Sequence, residues 1–236
     1  MARTRQPASV ATLAKTVFFE GVTASGLAQA GRDARFLAFA PESEVIAAGE
    51  QSDDVSILLA GRARVTLYSP DGRAVDFRRL DPGAMFGEFA AVDGRPRSAS
   101  VEAIKACTVA RLPAVLFWQL MRQEPAFAGA VLAHLVDLSR SLTERIFEFS
   151  TLAVNNRIHA ELLRMVRHDL AGSGRPWIDP APTHAEIAAR ISTHREAVSR
   201  ELSRLTSLGV VGKRGSALLV KDLARLERMV RDAVAE

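Results

Sequence analysis

The chain of 236 residues is poor in cysteine and lysine and has no long apolar run. Its one cysteine, Cys107, excludes an internal disulfide and a four-cysteine iron–sulfur cluster, and we expect it to be a small buried residue. No segment approaches the roughly 20 apolar residues that span a bilayer. The first residues also lack the apolar stretch of a signal peptide. These absences predict a cytoplasmic protein with no membrane span.

The excess positive charge lies in one part of the chain. Residues 1–156 carry 17 basic and 17 acidic side chains, whereas residues 157–236 carry 14 and 10. The net charge of +4 therefore belongs entirely to the last third of the sequence. A domain that faces phosphate groups has this kind of balance.

A helix-turn-helix pattern occupies residues 183–208. Thr183 and Glu186 form a capping box for a first helix, and Ser192-Thr193 breaks it and caps a second. On the second helix, apolar residues recur at helical spacing and charged residues fall on the other side. An exposed face of arginine and glutamate suits major-groove readout, because Arg binds guanine and Glu accepts from cytosine. The competing interpretation is an ordinary helical hairpin with a solvated charged face.

A small hairpin, or wing, is predicted after the second helix. It runs from Leu208 to Val220 around a Gly-Lys-Arg-Gly turn whose tip, Lys213-Arg214, could contact phosphate. The predicted DNA-binding residues of this region are Thr183, Thr193, His194, Arg195, Glu196, Ser199, Arg200, Lys213 and Arg214.

Short strands fill the region from Phe36 to Leu112. Turn residues cut it at regular intervals, which predicts a sandwich, jelly roll or barrel. The predicted strands are Arg35–Phe39, Glu44–Ala48, Val55–Leu59, Arg62–Tyr68, Ala74–Leu80, Ser98–Ala103 and Cys107–Leu112, with a hairpin turn at Pro70-Asp71-Gly72.

An enzyme is the main alternative for such a β domain. A metal site of the cupin type needs clustered histidine and carboxylate ligands, and a nucleophilic triad needs a histidine base. The five histidines are 134, 159, 168, 184 and 194, and none lies in the strand region. We therefore expect no enzyme, and we expect His159 and His168 to be surface or capping residues.

A long helix is predicted from Glu124-Pro125 onwards. Its apolar residues recur at nearly 3.5-residue spacing, which is typical of a coiled-coil seam between two copies of a chain. The alternative is one long helix packed on its own domain. The predicted seam residues are Val131, Leu135, Leu138, Leu142, Ile146, Phe149 and Leu152.

The loop from Gly87 to Ala99 has the residues of an anion site. Gly87 allows close backbone approach, a helical turn from Glu88 would aim N–H groups at an anion, and Arg97 and Ser98 can hold a phosphate. The Glu88 carboxylate can accept from a sugar hydroxyl, so the combination indicates a nucleotide. On these residues alone, a surface loop with a solvated Arg97 and Glu88 is the competing interpretation.

The order of these features resembles that of the CRP/FNR family of bacterial transcription regulators. The likeness covers about residues 36–220: a β-roll with Phe-Gly-Glu and Arg-Ser-Ala, a long helix, and Arg-Glu-x-x-x-Arg in a winged helix-turn-helix. It implies an α+β protein with an effector domain at 1–125, a dimerisation helix at 126–155 and a DNA-binding domain at 156–236. It also implies double-stranded DNA, a second copy of the chain and RNA polymerase as partners.

The resemblance also implies a role for each site residue. Gly87, Glu88, Phe89, Arg97, Ser98 and Ala99 would form a phosphate-binding cassette, with Glu88 on the ribose 2′-hydroxyl and Arg97 with Ser98 on the cyclic phosphate. Leu142-Thr143 replaces the family's pair of hydroxyl residues facing adenine, which implies cyclic AMP as ligand with cyclic GMP possible. Arg195, Glu196 and Arg200 match base-reading positions, which implies a two-fold site with TGTGA-like half-sites.

Two related alternatives stay open. A regulator of the same fold could sense a cyclic dinucleotide or no ligand. A cyclic-nucleotide-binding regulatory subunit of a signalling kinase or of a channel is the other alternative, but the helix-turn-helix and the absence of membrane spans argue against it.

Overall fold

Residues 8–68, 74–173 and 176–235 are described by a computed structural model of the chain. The chain divides into two compact units, residues 1–139 and residues 140–236. Within the described residues, no helix combines the length and the apolar character that crossing a bilayer requires. The predicted turn at Pro70-Asp71-Gly72 lies outside the described residues.

One antiparallel sheet dominates the first unit. Its central strands follow the order β1, β6, β3, β4, with β2 pairing on β6 and β5 on β3. The described strands are β1 (Arg35–Phe39), β2 (Glu44–Ile46), β3 (Val55–Tyr68), β4 (Ala74–Leu80), β5 (Met85–Phe86) and β6 (Ser100–Leu112).

Two strands are longer than the sequence predicts. Val55–Leu59 and Arg62–Tyr68 form the single strand β3, and the two predicted segments between Ser98 and Leu112 merge into β6. Gly61 does not end β3, because its positive φ of 92° belongs to a stretch where the β3–β6 register shifts. A bulge of this kind bends a strand without ending it. A Cβ at Gly61 would collide with the backbone of Ala106 and Cys107, so glycine permits the close approach.

Helices flank the sheet of the first unit. They are α1 (Ala8–Leu13), α2 (Ala24–Asp33), α3 (Glu88–Asp93), α4 (Ala114–Gln123) and the start of α5 (Pro125–Thr151), with a 3₁₀ turn at Val17–Phe19. Aromatic rings fix the packing: Phe127 of α5 meets Phe19 and Phe117 edge to face at 5.4 and 6.0 Å. This core anchors the first turns of α5 against its own unit.

The predicted seam on α5 is wrong in its first half and at Leu152, which is buried just after the helix ends. Val131 is buried in the core of the first unit, Leu135 packs against that core, and Leu138 lines a cleft of the same unit. The exposed apolar residues are offset by one position: Leu132 and Val136 are 59% and 50% exposed. Because one residue turns a helix by about 100°, α5 carries two adjacent apolar stripes, and periodicity alone cannot tell which is internal.

The second unit is a helical domain with a small sheet. It contains the end of α5, α6 (Val154–Ser173), β7 (Trp177–Ile178), α7 (His184–Arg190), α8 (Arg195–Ser207), β8 (Val211–Arg214), β9 (Ala217–Val220) and α9 (Leu223–Ala235). Its core joins Ile158 and Leu162 of α6 to Ile187, Val198 and Leu205. The three strands are antiparallel in the order β7, β9, β8. The predicted class, α+β with a β domain, a long helix and a winged helix-turn-helix, is confirmed.

Candidate ligand cleft and DNA-binding face

A cleft in the first unit opens beside the loop from Gly87 to Ala99. The empty space within it is about 590 Å³, and part of that space is open solvent. The lining combines several apolar side chains with few charged ones: Ile46, Val65, Arg78, Phe86, Gly87, Glu88, Phe89, Ala90, Arg97, Ser98, Ala99, Val101 and Leu138.

Gly87 shapes the end of the cleft where Arg97 lies. It precedes α3 in the left-handed conformation, with φ 82°. A Cβ at this position would lie 2.8 Å from Arg97 Nη1. Glycine is therefore required both by the backbone and by the packing of the arginine.

Arg97 is buried, with 6% exposure, and is held from three sides. It donates to Ser52 Oγ at 2.9 Å, to the Gly87 carbonyl at 2.7 Å and to the Asp54 carbonyl at 2.8 Å. A guanidinium has five N–H donors, so two remain for a ligand. Loss of solvation lowers the pKa of Arg97, with the Glu50 carboxylate opposing that effect. The side chain is thus a fixed cation that faces the cleft.

Glu88 is buried at the start of α3, with 4% exposure. Its Oε1 lies 3.3 Å from His134 Nε2 on α5, and the His134 ring meets Phe18 edge to face at 5.6 Å. The carboxylate therefore has one partner outside the loop and also lines the cleft. Sequence reasoning missed His134, because 46 residues separate it from Glu88 and no local pattern joins them.

The other predicted ligand residues are placed differently. Ser98 is exposed, Ala99 is half-buried and Phe89 is 46% exposed, and all three line the cleft. Leu142 and Thr143 belong to the second unit, where Leu142 is half-buried and Thr143 is exposed. Their role opposite a base stays a prediction. The sequence also missed Arg78, a second arginine that lines the cleft.

The helix-turn-helix begins with the predicted capping box. Glu186 N–H donates to Thr183 Oγ1 at 3.2 Å, and Thr183 N–H donates to Glu186 Oε2 at 2.7 Å. The predicted cap of the second helix is wrong: α8 starts after His194, with no side-chain cap, and Thr193 is buried. Ser192, with φ 51°, makes the turn instead.

The exposed face of α8 carries charged side chains that have no partner among the described residues. Arg195, Glu196 and Arg200 are exposed, and none has a hydrogen bond or ion pair to another described residue. Val198, Leu202 and Leu205 are buried on the opposite side. His194 is exposed and Ser199 is half-buried. Guanidinium and carboxylate groups are thus free to meet an external partner.

The wing turns later than predicted. Lys213 and Arg214 belong to β8, and the turn consists of Gly215-Ser216 because Arg214 pairs directly with Ala217. Both basic side chains are exposed. The Arg214 guanidinium lies over the Trp177 ring, 4.7 Å from its centroid, which fixes its direction.

Buried charges support the second unit. His159, expected at the surface, is 2% exposed and lies 2.5 Å from Glu201 Oε1 of α8. Burial lowers the pKa of His159, and the hydrogen bond to Glu201 opposes this. His168 has a side chain that is not described.

A second buried cluster centres on Glu161 of α6, which is 3% exposed. It pairs with Arg164, with Arg190 of α7 at 3.1 Å and with Arg145 of α5 at 3.9 Å. Arg164 also bonds Glu148 of α5 at 2.6 Å. These ion pairs tie the end of α5 to α6 and to the first helix of the helix-turn-helix.

Two family models match the chain, and together they cover more than half of it. A cyclic nucleotide-binding domain matches residues 36–124, and a Crp-like helix-turn-helix domain matches residues 156–229. The first contains every residue that lines the cleft except Leu138, and the second contains the exposed face of α8.

Named relatives agree with these matches. The chain is 25% identical to a CRP-like cAMP-activated global transcriptional regulator of Mycobacterium tuberculosis, over 93% of this chain and 98% of that protein. It is 29% identical to a cyclic AMP receptor protein of Thermus thermophilus, over 77% and 81%.

Solved structures show the same fold. FixK2 from Bradyrhizobium japonicum superposes with a TM-score of 0.72 at 21% identity, over 83% of this chain and 96% of that one. The c-di-GMP responsive global regulator CLP of Xanthomonas campestris superposes with a TM-score of 0.67 at 18% identity, over 84% and 99%.

The two domains define a DNA-binding transcription regulator with a cyclic nucleotide-binding domain, and not an enzyme. The chain belongs to the CRP/FNR family of transcription regulators.

Proposed function

We propose that this regulator is a cytoplasmic homodimer that binds a cyclic purine mononucleotide in the cleft. Binding then favours attachment to a two-fold DNA site with TGTGA-like half-sites, where the protein acts with RNA polymerase. Cyclic AMP is the ligand that the relatives' names favour, with cyclic GMP as a second ligand. The observation that carries the proposal is the union of a fixed arginine and a buried carboxylate in one cleft.

The phosphate end of the ligand would meet Arg97 and Ser98. Arg97 has two N–H groups uncommitted among the described residues, and Ser98 presents an exposed hydroxyl beside it. Charge-assisted hydrogen bonds from an arginine to a phosphate are among the strongest hydrogen bonds that proteins make. Since three bonds already fix Arg97, the ligand does not have to order it.

The ribose would meet Glu88. A carboxylate accepts only, so it suits the 2′-hydroxyl as donor. Glu88→Ala is expected to weaken the binding of cyclic AMP more than the binding of its 2′-deoxy analogue. Calorimetry with both ligands measures this. Equal losses for the two ligands would remove Glu88 from the ribose role.

A second copy of the chain would cover the exposed stripe on α5. Leu132, Val136 and Ile146 are 59%, 50% and 66% exposed. Thr143 fits the same heptad pattern, because the steps from Leu132 to Val136, to Thr143 and to Ile146 are four, seven and three residues. Apolar groups exposed along one helix favour association through that helix.

A single charge tests the dimer. Leu132→Glu buries an unpaired carboxylate in the proposed interface, which is strongly unfavourable. Sedimentation should show monomer at concentrations where the wild type is a dimer. The matched control is Val115→Glu, since Val115 is 71% exposed on α4, outside the stripe. An intact Leu132→Glu dimer would locate the interface elsewhere.

DNA would be read by the two copies of α8. The exposed Arg195, Glu196 and Arg200 supply donors for guanine and an acceptor for cytosine. Two copies related by a two-fold axis fit half-sites about one turn, or roughly 34 Å, apart. Mobility shifts with a palindromic duplex and with a shuffled duplex test this directly.

A regulator of the same fold with another ligand is the second candidate. The observation in its favour is the structural likeness to CLP, the c-di-GMP responsive global regulator. Calorimetry with cyclic AMP, cyclic GMP and c-di-GMP separates the candidates. Specific DNA binding without any of the three ligands would leave a regulator that needs none of them.

A further inference from the structure

Arg78 lies at the end of a row of side chains that crosses the cleft. On the sheet, Arg78 of β4 is paired with Val65 of β3, and Val65 is paired with Val101 of β6. Residues directly opposite each other on neighbouring strands share a face of the sheet, and all three line the cleft. Ser98 and Ala99 come just before β6, on the side of Val101. Two strand spacings, roughly 10 Å, therefore separate Arg78 from that side.

Arg78 is far less committed than Arg97. Its one hydrogen bond to a described residue runs from Nη2 to the Met85 carbonyl at 3.5 Å, the limit for such a bond. Arg97 makes three bonds of 2.7–2.9 Å. Of the five N–H donors on Arg78, four have no partner among the described residues.

Among the described residues, Glu88 does not accept a hydrogen bond from Arg78. The carboxylate opposes the loss of solvation that lowers the pKa of Arg78, so the two charges sense each other. Within the described residues, however, they form no ion pair, and Glu88 has His134 as its near partner. Arg78 is therefore a half-buried donor group with charge support whose one acceptor among the described residues is the distant Met85 carbonyl.

The base of a purine nucleotide offers what Arg78 lacks. The edge of guanine presents two acceptors, N7 and O6, whereas adenine presents the N7 acceptor and the N6 amino donor. Arginine has no acceptor, so it bonds both atoms of guanine but opposes its donors to the adenine amino group. We infer that Arg78 makes this cleft selective for a guanine nucleotide over an adenine nucleotide.

The inference deepens the proposed function and rests on it, because a cyclic mononucleotide must bind with its phosphate at Arg97 for the base to reach Arg78. It reverses the order of ligands that the relatives' names favour. The selectivity for guanine would come from one side chain on β4. Thr143, which was predicted to face the base, is not needed for it.

The decisive variant is Arg78→Gln. A glutamine amide donates and accepts, which matches the N7 and N6 groups of adenine. By calorimetry, the wild type should bind cyclic GMP more tightly than cyclic AMP, by roughly 5- to 150-fold. Arg78→Gln should lose that preference through weaker cyclic GMP binding, while cyclic AMP binding is unchanged or stronger.

Arg79→Gln is the matched control. Arg79 is the next residue of β4, so its side chain points to the other face of the sheet, and it does not line the cleft. This variant should keep the wild-type ratio of the two affinities. Thermal unfolding of both variants shows whether either has misfolded. Misfolding would weaken the binding of both nucleotides equally and would not change their ratio.

Two results would overturn the inference alone: a wild type that prefers cyclic AMP, or an Arg78→Gln variant that weakens both nucleotides by the same factor. The second result would mean that Arg78 acts through the shape of the cleft or through Glu88. If neither nucleotide binds the wild type while it still binds DNA specifically, the proposed mononucleotide ligand fails, and the inference fails with it.

Discussion

The cleft and the exposed face of α8 hold arginine and glutamate in opposite ways. In the cleft, Arg97 and Glu88 are buried, with 6% and 4% exposure, and are held by neighbours. On α8, Arg195, Glu196 and Arg200 are exposed and have no described partner. A small ligand needs groups that are already fixed, because ordering them would cost affinity. A long DNA duplex instead supplies enough contacts to order exposed side chains on binding.

Burial of a charge does not by itself mark a ligand site. Glu161 and Arg190 in the second unit are as buried as the cleft pair, with 3% and 8% exposure. The difference lies in their partners: Glu161 is surrounded by Arg145, Arg164 and Arg190. Arg97 instead retains unused N–H groups toward a cavity. The comparison predicts that a buried charge with unused donors toward a cavity governs ligand binding, whereas a buried charge surrounded by protein partners governs stability.

The largest effect is expected for Arg97→Ala. A phosphate in the cleft would lose two charge-assisted bonds of about 1.5–3 kcal/mol each, so the dissociation constant should rise by more than about a hundredfold. Calorimetry with cyclic AMP and cyclic GMP measures this. Arg95→Ala is the control, because the Arg95 side chain is 83% exposed and lies outside the cleft. Residual affinity within tenfold of wild type would place the phosphate elsewhere.

Removal of Glu161 should act on stability. Glu161→Ala leaves buried arginines without their shared carboxylate, which costs about 3–5 kcal/mol for a buried pair. Urea unfolding of the second unit, followed by Trp177 fluorescence in a Trp118→Phe background, reports this change.

Glu196→Ala is the counterpart on the exposed face. It should alter the stability by less than about 0.5 kcal/mol while reducing discrimination at one base position. If the Glu161 and Glu196 variants unfold at the same urea concentration, burial does not separate the two roles.

Local patterns in the sequence predicted the parts of both sites that lie close together in the chain. The capping box of Thr183 and Glu186 spans one helical turn, so the spacing alone defines it. Gly87 and Arg97 are ten residues apart in one loop, and the structure brings them into contact. Roles for these residues in ligand or DNA binding stay predictions.

What the sequence could not give depends on contacts between distant elements. His134 reaches Glu88 from another helix, and Arg78 reaches the cleft from another strand. Alternation along β4 shows that Arg78 and Arg79 face opposite ways, but not which of them faces the cleft. The first half of the predicted seam on α5 differs from the exposed residues by one position for the same reason, since the helix packs on its own unit at Val131.

A smaller effect is expected on DNA. Arg200→Ala or Arg195→Ala should weaken binding to a specific duplex by about 1–3 kcal/mol and binding to a shuffled duplex by much less. Titrations with both duplexes at one salt concentration measure the difference. Arg228→Ala, which removes an exposed charge from α9, controls for net charge alone. Equal losses on the two duplexes would make the residue a phosphate contact.

The smallest effect is a pH dependence of the second unit. Burial keeps the pKa of His159 below its usual value of 6.5 in the folded chain. Below about pH 6.5 the unfolded chain binds a proton that the folded chain does not. The free energy of unfolding therefore falls as the pH falls, by at most about 1.4 kcal/mol per pH unit, and is flat above that pH.

Unfolding is measured between pH 5.5 and 7.5, a window that lies above the ordinary pKa of a carboxyl group. The pKa of Glu201 is lowered in the folded chain, although burial would raise it, because Arg204 and His159 hydrogen-bond to the carboxylate. Glu201 titrates below the window. His159→Gln should remove the slope, whereas His194→Gln should keep it, since His194 is exposed. An unchanged slope in His159→Gln would assign the pH dependence to another group, and the buried histidine would be a packing element with no electrostatic consequence.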